Sequence, residues 1–322
     1  MTRKRVLLEG DLDTSILEHN QVGIIGYGSQ GRAQALNLRD GGFTPLVAVR
    51  RGRSFEKALA DGFTPLEIEE AARRADIIML LAPDEAQADL CHNRIIPHAK
   101  SHAFLGFAAG FSVHFGLIRF PNHIRVFLAA PKGPGSILRC RFEAGEGIPG
   151  LIASLNDDRE EWLVAMAYAK AIGCARAGVI ETTFREETLA DLFGEQCVLS
   201  GGLVALMKAA FDVLVARGCT PEVAYIECIG EVEYMASLIS RVGLARLEDY
   251  ISSTAYYGGA TRGGRVIDDG VRQRLAVIFD EIEQGKFLKE FQGYVASGKR
   301  GLAADSDLSI LEAARSSLKA AS

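Results

Sequence analysis

The chain has 322 residues, 48% of them hydrophobic and 24% charged, with a formal net charge of −5. That is enough apolar material for one large core or two modest ones, and the mild balance, with no single-sign block at either end, excludes an electrostatic grip on nucleic acid or an anionic membrane. Apolar runs such as Ile77 to Ala82 fall far short of the roughly 20 residues of a membrane span, and Met1 to Asp11 lacks the apolar centre of a signal peptide, so a cytosolic protein with small-molecule partners is expected.

From Val22 to about Ile180, short β-branched or apolar runs alternate with amphipathic stretches, the pattern of a parallel sheet covered by helices. Strands are predicted at Val22–Ile25, Leu46–Val49, Ile77–Leu81, Ala103–Phe107, Val126–Ala129, Leu151–Ser154 and Ala175–Val179. Helices fall between them at Ala33–Leu38, Phe55–Ala60 and Leu66–Arg74, and Trp162 packs in a further amphipathic helix. Beyond Glu181 the alternation stops. Long helical patterns follow at Thr188–Ala216, Pro221–Ser240, Arg246–Tyr250 and Gly270–Ser297, with Gly258–Gly264 as a loop and a last short helix at Leu308–Ala320. The expected organisation is an α/β domain over residues 1–182 and an all-α domain over residues 183–322. Six cysteines without a C-x-x-C pair argue against a zinc site or redox dithiol and are expected to be buried, reduced packing residues.

Four motifs carry the chemistry. Gly26-Tyr27-Gly28-Ser29-Gln30-Gly31 follows the first strand and opens a helix, the setting in which G-x-G-x-x-G means a tight turn with a helix N-terminus aimed at a pyrophosphate. At the end of the next strand, where an acidic residue would hold the ribose of NAD, stand Arg50, Arg51, Arg53 and Ser54. Guanidinium groups there suit a 2′-phosphate, so NADP(H) is favoured, NAD(H) is not excluded, and a solvated basic turn is the alternative. Pro83, just past the third strand, and Gly135 are further cofactor-binding candidates, while Asp84 and Glu85 either border that site or sit in a solvated turn.

The third motif is a pair of spacings, Asp191 with Glu195 and Glu227 with Glu231. Residues four apart share a helix face, so each pair presents two carboxylates to one point. Four converging carboxylates would repel one another unless divalent cations sat among them, and all-oxygen ligands favour Mg²⁺. On spacing alone such pairs are common on exposed helices, but Leu192, Phe193, Tyr225, Ile226 and Ile229 make these surroundings too apolar for a solvated face. The fourth is Lys132 in Ala130-Pro-Lys-Gly-Pro-Gly135, a stiff turn after a strand that either overhangs the cofactor crevice or is a surface turn.

Together these residues resemble the short-form (class I) ketol-acid reductoisomerases, nearly end to end, from Gly23-Ile-Ile-Gly-Tyr-Gly-Ser-Gln-Gly31 through Gly178-Val-Ile-Glu-Thr-Thr-Phe184 and Asp191-Leu-Phe-Gly-Glu-Gln196 to Ile251-Ser-Ser-Thr-Ala255. The resemblance implies a Rossmann N-terminal domain and a knotted helical C-terminal domain of the 6-phosphogluconate dehydrogenase-like type, at least a dimer, and an active site shared across the dimer interface. It implies two Mg²⁺ ions held by Asp191 and Glu195 of one chain and Glu227 and Glu231 of the other, with Ser252 of that other chain at the substrate, and it makes Lys132, Asp191 and Glu195 catalytic. Enzymes of this family use the metals to polarise a ketone and drive an alkyl shift in an acetohydroxy acid, then pass hydride from NADPH to the new ketone.

Departures from the family pattern cluster where chemistry is expected. Phe107-Ala-Ala109-Gly110 stands where the family has Ala-His-Gly, so Ala109, expected at the substrate, replaces a histidine, and a general acid/base candidate is lost. Ser136-Ile137 replaces a His-Thr step, Ala255-Tyr256-Tyr257-Gly258 replaces Ala-Glu-Tyr-Gly, and Arg32 and Gln34 stand where histidines are typical. With the carboxylates and lysine kept, the expectation is a reshaped pocket on a working metal and cofactor platform, acting on a metal-chelated vicinal diol or hydroxy-keto acid in secondary metabolism. Relatives of this type oxidise a diol bearing a sulfonium group and close a cyclopropanol ring. The alternatives are an authentic ketol-acid reductoisomerase of valine and isoleucine biosynthesis, converting 2-acetolactate to 2,3-dihydroxyisovalerate, and a non-catalytic NADPH-binding sensor.

Overall fold

Buried apolar runs become strands because both faces of a helix-covered parallel sheet exclude water. In the computed structural model, which describes residues 6–298 and 308–320, the strands are β1 (Val6–Leu7), β2 (Val22–Ile25), β3 (Leu46–Ala48), β4 (Ile77–Leu80), β5 (Phe104–Phe107), β6 (Arg125–Pro131), β7 (Gly150–Ser154) and β8 (Val179–Glu181). They form one eight-stranded sheet in the order β1-β8-β7-β6-β5-β4-β2-β3. β2, β4 and β5 are buried along their whole length. The sheet is parallel except where β7 meets β6 and β1 meets β8.

The helices of this half are α1 (Ser15–Glu18), α2 (Ser29–Asp40), α3 (Arg53–Ala60), α4 (Ile68–Arg74), α5 (Asp84–Leu90), α6 (Phe111–His114), α7 (Gly135–Glu143) and α8 (Arg159–Ala171). Two clusters of buried side chains flank the sheet, one containing Ile24, Phe127 and Tyr168, the other Ile25, Leu105 and Leu128. This is the Rossmann-like sheet domain expected. The predicted strand Ala175–Val179 is corrected: Cys174–Arg176 is a 3-10 turn, and the left-handed Gly178 (φ +112) delays the strand to Val179. All six cysteines are free, but only Cys91 and Cys174 are the buried packing residues expected; Cys197, Cys219 and Cys228 are half-buried and Cys140 is exposed.

Buried Glu161 holds the start of β6 to α8. Its carboxylate accepts from the Val126 N–H at 2.9 Å, the Ser154 hydroxyl at 2.5 Å and both nitrogens of Asn156 at 3.2 and 3.1 Å. Glu161→Ala would leave these donors unsatisfied, and a loss of about 2–4 kcal/mol in urea-unfolding free energy is expected. A loss below about 0.5 kcal/mol would show that the donors find other partners.

The chain divides into two units, residues 1–190 and 191–322. The first unit extends past β8 because Phe184, Glu187, Thr188 and Leu189, in the opening turns of α9 (Phe184–Gly194), are buried, Phe184 within the core beside the sheet. Beyond it come α10 (Val204–Ala216), α11 (Pro221–Tyr225), α12 (Glu231–Val242), α13 (Ser253–Val266), α14 (Asp269–Glu283), α15 (Lys286–Ala296) and α16 (Ser309–Ala320). The predicted continuous helix Gly270–Ser297 is broken at Gln284 and the left-handed Gly285. The predicted loop Gly258–Gly264 is corrected too: it lies inside α13, started by the Ser252 hydroxyl, which accepts from the Ala255 N–H at 3.2 Å. That cap offsets part of the helix penalty of about 1 kcal/mol per glycine.

Helices α9 and α10 join through a π-helical segment, Glu195–Leu203, as α11 and α12 do through Ile226–Gly230. Two positions of the first segment leave no room for a side chain, since a Cβ on Gly201 or Gly202 would overlap the carbonyl oxygen five residues earlier in the same segment, of Gln196 or Cys197. The helix Phe184–Ala216 runs for 33 residues and contains an 18-residue stretch of mean hydropathy 1.8, enough by length and composition alone to cross a membrane, a test that core helices of soluble proteins also pass. In this unit Phe211, Ala224, Ile282 and Ala314 are buried, while Val198, Leu199, Val204, Leu206 and Val213 stay exposed.

Candidate functional site

β2 delivers the chain into the glycine turn, and α2 starts at Ser29 with Gly28 as N-cap and no side-chain cap. Its first N–H groups are therefore directed at whatever lies on the turn, which suits a pyrophosphate. Close approach needs glycine here: a Cβ on Gly31 would overlap the Gly26 carbonyl oxygen. A cleft of about 320 Å³ beside the turn is lined by Gly28, Ser29, Arg32, Ser54, Gly135 and Arg139 among others. A bare helix N-terminus, a glycine cradle and cationic walls fit a nicotinamide dinucleotide.

Tyr27 belongs to the turn by its backbone, but its side chain is buried. Its hydroxyl donates to Asp61 at 2.9 Å, and Arg32 clamps the same carboxylate at 2.7 and 2.8 Å. Burial pushes the Tyr27 phenol well above its usual range, and the Arg32 guanidinium holds the Asp61 carboxyl below the usual carboxylate range. Arg32, at a position where the family resemblance places histidine, thus braces the turn against the end of α3. Arg50, Arg51 and Arg53 follow β3, with Arg51 over the Phe55 ring at 5.7 Å. Pro83 is the N-cap residue of α5, past β4.

At the end of β6, the Lys132 N–H donates to the Pro149 carbonyl at 2.8 Å. The ammonium lies 3.2 Å from Glu187, whose side chain is 1% exposed. The other Glu187 oxygen accepts from the Gly110 N–H at 2.7 Å. One buried carboxylate therefore fixes both the lysine and the loop after β5, and charge-assisted bonds of this kind are the stronger ones. Ala109 precedes the anchored Gly110 and is half-buried. Sequence reasoning missed Glu187, although it extends the Asp191–Glu195 spacing one step back.

Asp191 lies half-buried near the end of α9, Glu195 is exposed where the π segment begins, Glu227 is exposed in the second π segment, and Glu231 is exposed at the start of α12. Each pair keeps its spacing on one continuous helical path. Among the described residues, no three of the His, Cys, Asp and Glu side chains come close enough to hold a metal ion. One chain thus does not bring the four carboxylates together. Their oxygen donors suit Mg²⁺ by type. Ser252, expected at the substrate, is the N-cap of α13. A cavity of about 780 Å³ lies at the opposite edge of the sheet, where Val22, Thr44 and Asp76 lead into strands, away from the glycine turn.

Residues 16–178 match the family model of the acetohydroxy acid isomeroreductase NADPH-binding domain, and residues 184–309 match that of the ketol-acid reductoisomerase C-terminal domain. The structure is similar to that of an NADH-preferring ketol-acid reductoisomerase from an uncultured archean, at 37% identity and a TM-score of 0.88, over 98% of this chain and 94% of that one. It also resembles, in fold alone, a semialdehyde dehydrogenase NAD-binding protein from Cupriavidus necator (18% identity, TM-score 0.66, 84% of this chain and 99% of that one). A pyrroline-5-carboxylate reductase from Coxiella burnetii shares the fold at 15% identity and a TM-score of 0.59, over 84% of this chain and 98% of that one.

Proposed function

The chain belongs to the ketol-acid reductoisomerase family and is an NAD(P)-dependent oxidoreductase of that type; from that premise we propose that it is an NADP(H)- and Mg²⁺-dependent enzyme remodelled to act on a metal-chelated vicinal diol or hydroxy-keto acid. The observation that carries this reading is the junction of Glu187, Lys132 and Gly110. The lysine and its buried carboxylate are in place, yet Ala109 beside them offers a methyl group where the family resemblance puts an imidazole.

When bound, the nicotinamide supplies or takes up hydride and the Mg²⁺ pair polarises neighbouring substrate oxygens. The chain's own residues do the rest. The α2 N-terminus binds the pyrophosphate, and Arg50, Arg51, Arg53 and Ser54 bind the 2′-phosphate. Glu187 holds Lys132, which donates a proton or hydrogen bond to a substrate oxygen. Asp191 and Glu195 of one copy, with Glu227 and Glu231 of a second, hold the metals, and Ser252 of that second copy contacts the substrate. The exposed Val198, Leu199 and Val213 support burial of this helical unit against a second copy, and the unit is taken to carry the family's knot. A cytosolic location follows from the same reading.

The test is a substrate panel with purified protein. NADPH and NADH are compared for Mg²⁺-dependent oxidation with 2-acetolactate, and NADP⁺ for reduction with vicinal diols, a sulfonium-bearing diol among them. Mg²⁺-dependent turnover of a diol, with 2-acetolactate slower, is expected, as is a preference for the phosphorylated cofactor. Fast turnover of 2-acetolactate would instead make this an authentic enzyme of valine and isoleucine synthesis. Tight NADPH binding with no Mg²⁺-dependent turnover of any substrate would favour a sensor.

A further inference from the structure

The glycine turn and the lysine turn belong to different strand-to-helix connections, yet a line of hydrogen-bonded side chains, half-buried at Gln30 and fully buried beyond it, joins them. Gln30, inside the glycine turn, donates its side-chain N–H to the Gly133 carbonyl at 2.8 Å. Its oxygen accepts from the Gln34 amide at 3.0 Å, one turn along α2, and the Gln34 oxygen accepts from the Tyr168 hydroxyl at 2.8 Å. Gln34 and Tyr168 are both 0% exposed. The two turns also touch directly, since a Cβ on Gly135 would overlap the Ser29 carbonyl oxygen. Every link is satisfied by an amide that both donates and accepts, and neither end of the line is free to drift.

We propose that Gln30 is a positioning residue that couples cofactor occupancy of the glycine turn to the placement of Lys132. Gly133 follows Lys132 directly, and the Lys132 backbone N–H is itself tied to Pro149. The lysine turn is therefore held from both sides, and a displacement of the glycine turn reaches it through one rigid side chain. Such small shifts matter, because an error of about 1 Å in the placement of a reacting group can cost about a hundredfold in rate. The inference rests on the proposed function only in taking Lys132 as the lysine of the site and the glycine turn as the seat of the cofactor. Gln30, read from sequence as a cofactor contact, has its side chain committed to the neighbouring turn instead.

The test uses the full-length protein and NADPH. Acylation of the Lys132 ammonium by an amine-reactive ester is followed by peptide mass spectrometry with and without saturating NADPH, and NADPH affinity is measured by fluorescence on the same samples. In the wild type, NADPH should change the labelling rate of Lys132 by about fivefold or more, the lower range of ordinary site-to-site coupling. Gln30→Met should bind NADPH within about threefold of wild type and lose that response. Gln34→Leu, which leaves Gln30 in place but removes its brace, should weaken the response, and it serves if Gln30→Met does not fold.

An unchanged response in Gln30→Met would mean that the cofactor shields Lys132 directly and would overturn the proposal. So would a wild type whose labelling ignores NADPH, or a large loss of NADPH affinity in Gln30→Met, which would make the side chain a cofactor contact. The readout needs no substrate, so failure of the substrate panel leaves it standing. A wild type that binds no NADPH would sink the cofactor reading itself, and this inference with it.

Discussion

An Asp191→Ala chain should bind NADPH as the wild type does and lose Mg²⁺-dependent turnover by at least about a hundredfold. Asp191 lies near the end of α9 and Glu195 where the π segment opens, so the substitution leaves Glu195 as the sole carboxylate of its pair. Isothermal titration with Mg²⁺ should show the matching loss of affinity, while cofactor fluorescence should be unchanged because the glycine turn is untouched. Turnover within about threefold of wild type would remove Asp191 from the metal site.

The second large effect is expected at Glu187. With a 1% exposed side chain bonded to both Lys132 and the Gly110 N–H, it stabilises two loops at once. Glu187→Ala would leave a buried N–H without a partner and the lysine without its counter-charge. The expected loss in unfolding free energy is about 2–4 kcal/mol, below the upper range for buried ion pairs because Lys132 is partly solvated. Turnover should fall by about a hundredfold as the lysine loses its placement. Glu187→Gln keeps an acceptor for Gly110 and should recover most of the stability but little of the turnover. Recovery of both by glutamine would show that the charge is unimportant.

Most of the sheet was legible in sequence because strands such as Val22–Ile25 and Ile77–Leu80 are buried on both faces and read as unbroken apolar runs. Errors arose where backbone conformation decided. Gly178 moves the last strand, Gly285 divides one long helix into two, and the Ser252 cap makes a helix of a segment whose glycines suggested a loop. The glycine turn, its neighbouring arginines and Lys132 were readable from residue type and position after strands. Glu187 was not, since its role depends on a contact with Lys132, 55 residues earlier in the chain. The line from Tyr168 through Gln34 to Gln30 spans 134 residues at its widest step, and no local pattern announces it. The two acidic pairs were legible as pairs, but one chain does not join them.

That separation sets the most direct test of the account, which is complementation between two inactive chains. Asp191→Ala and Glu227→Ala proteins are purified apart, mixed, unfolded and refolded together, and assayed for Mg²⁺-dependent turnover. If one copy supplies Asp191 and Glu195 and the other supplies Glu227 and Glu231, half of the randomly paired dimers are mixed and each has one intact site. Activity should then return to about a quarter of wild type. A mixture as inactive as its two components, although mixed dimers are found by mass spectrometry, would contradict a metal site shared between two copies of the chain.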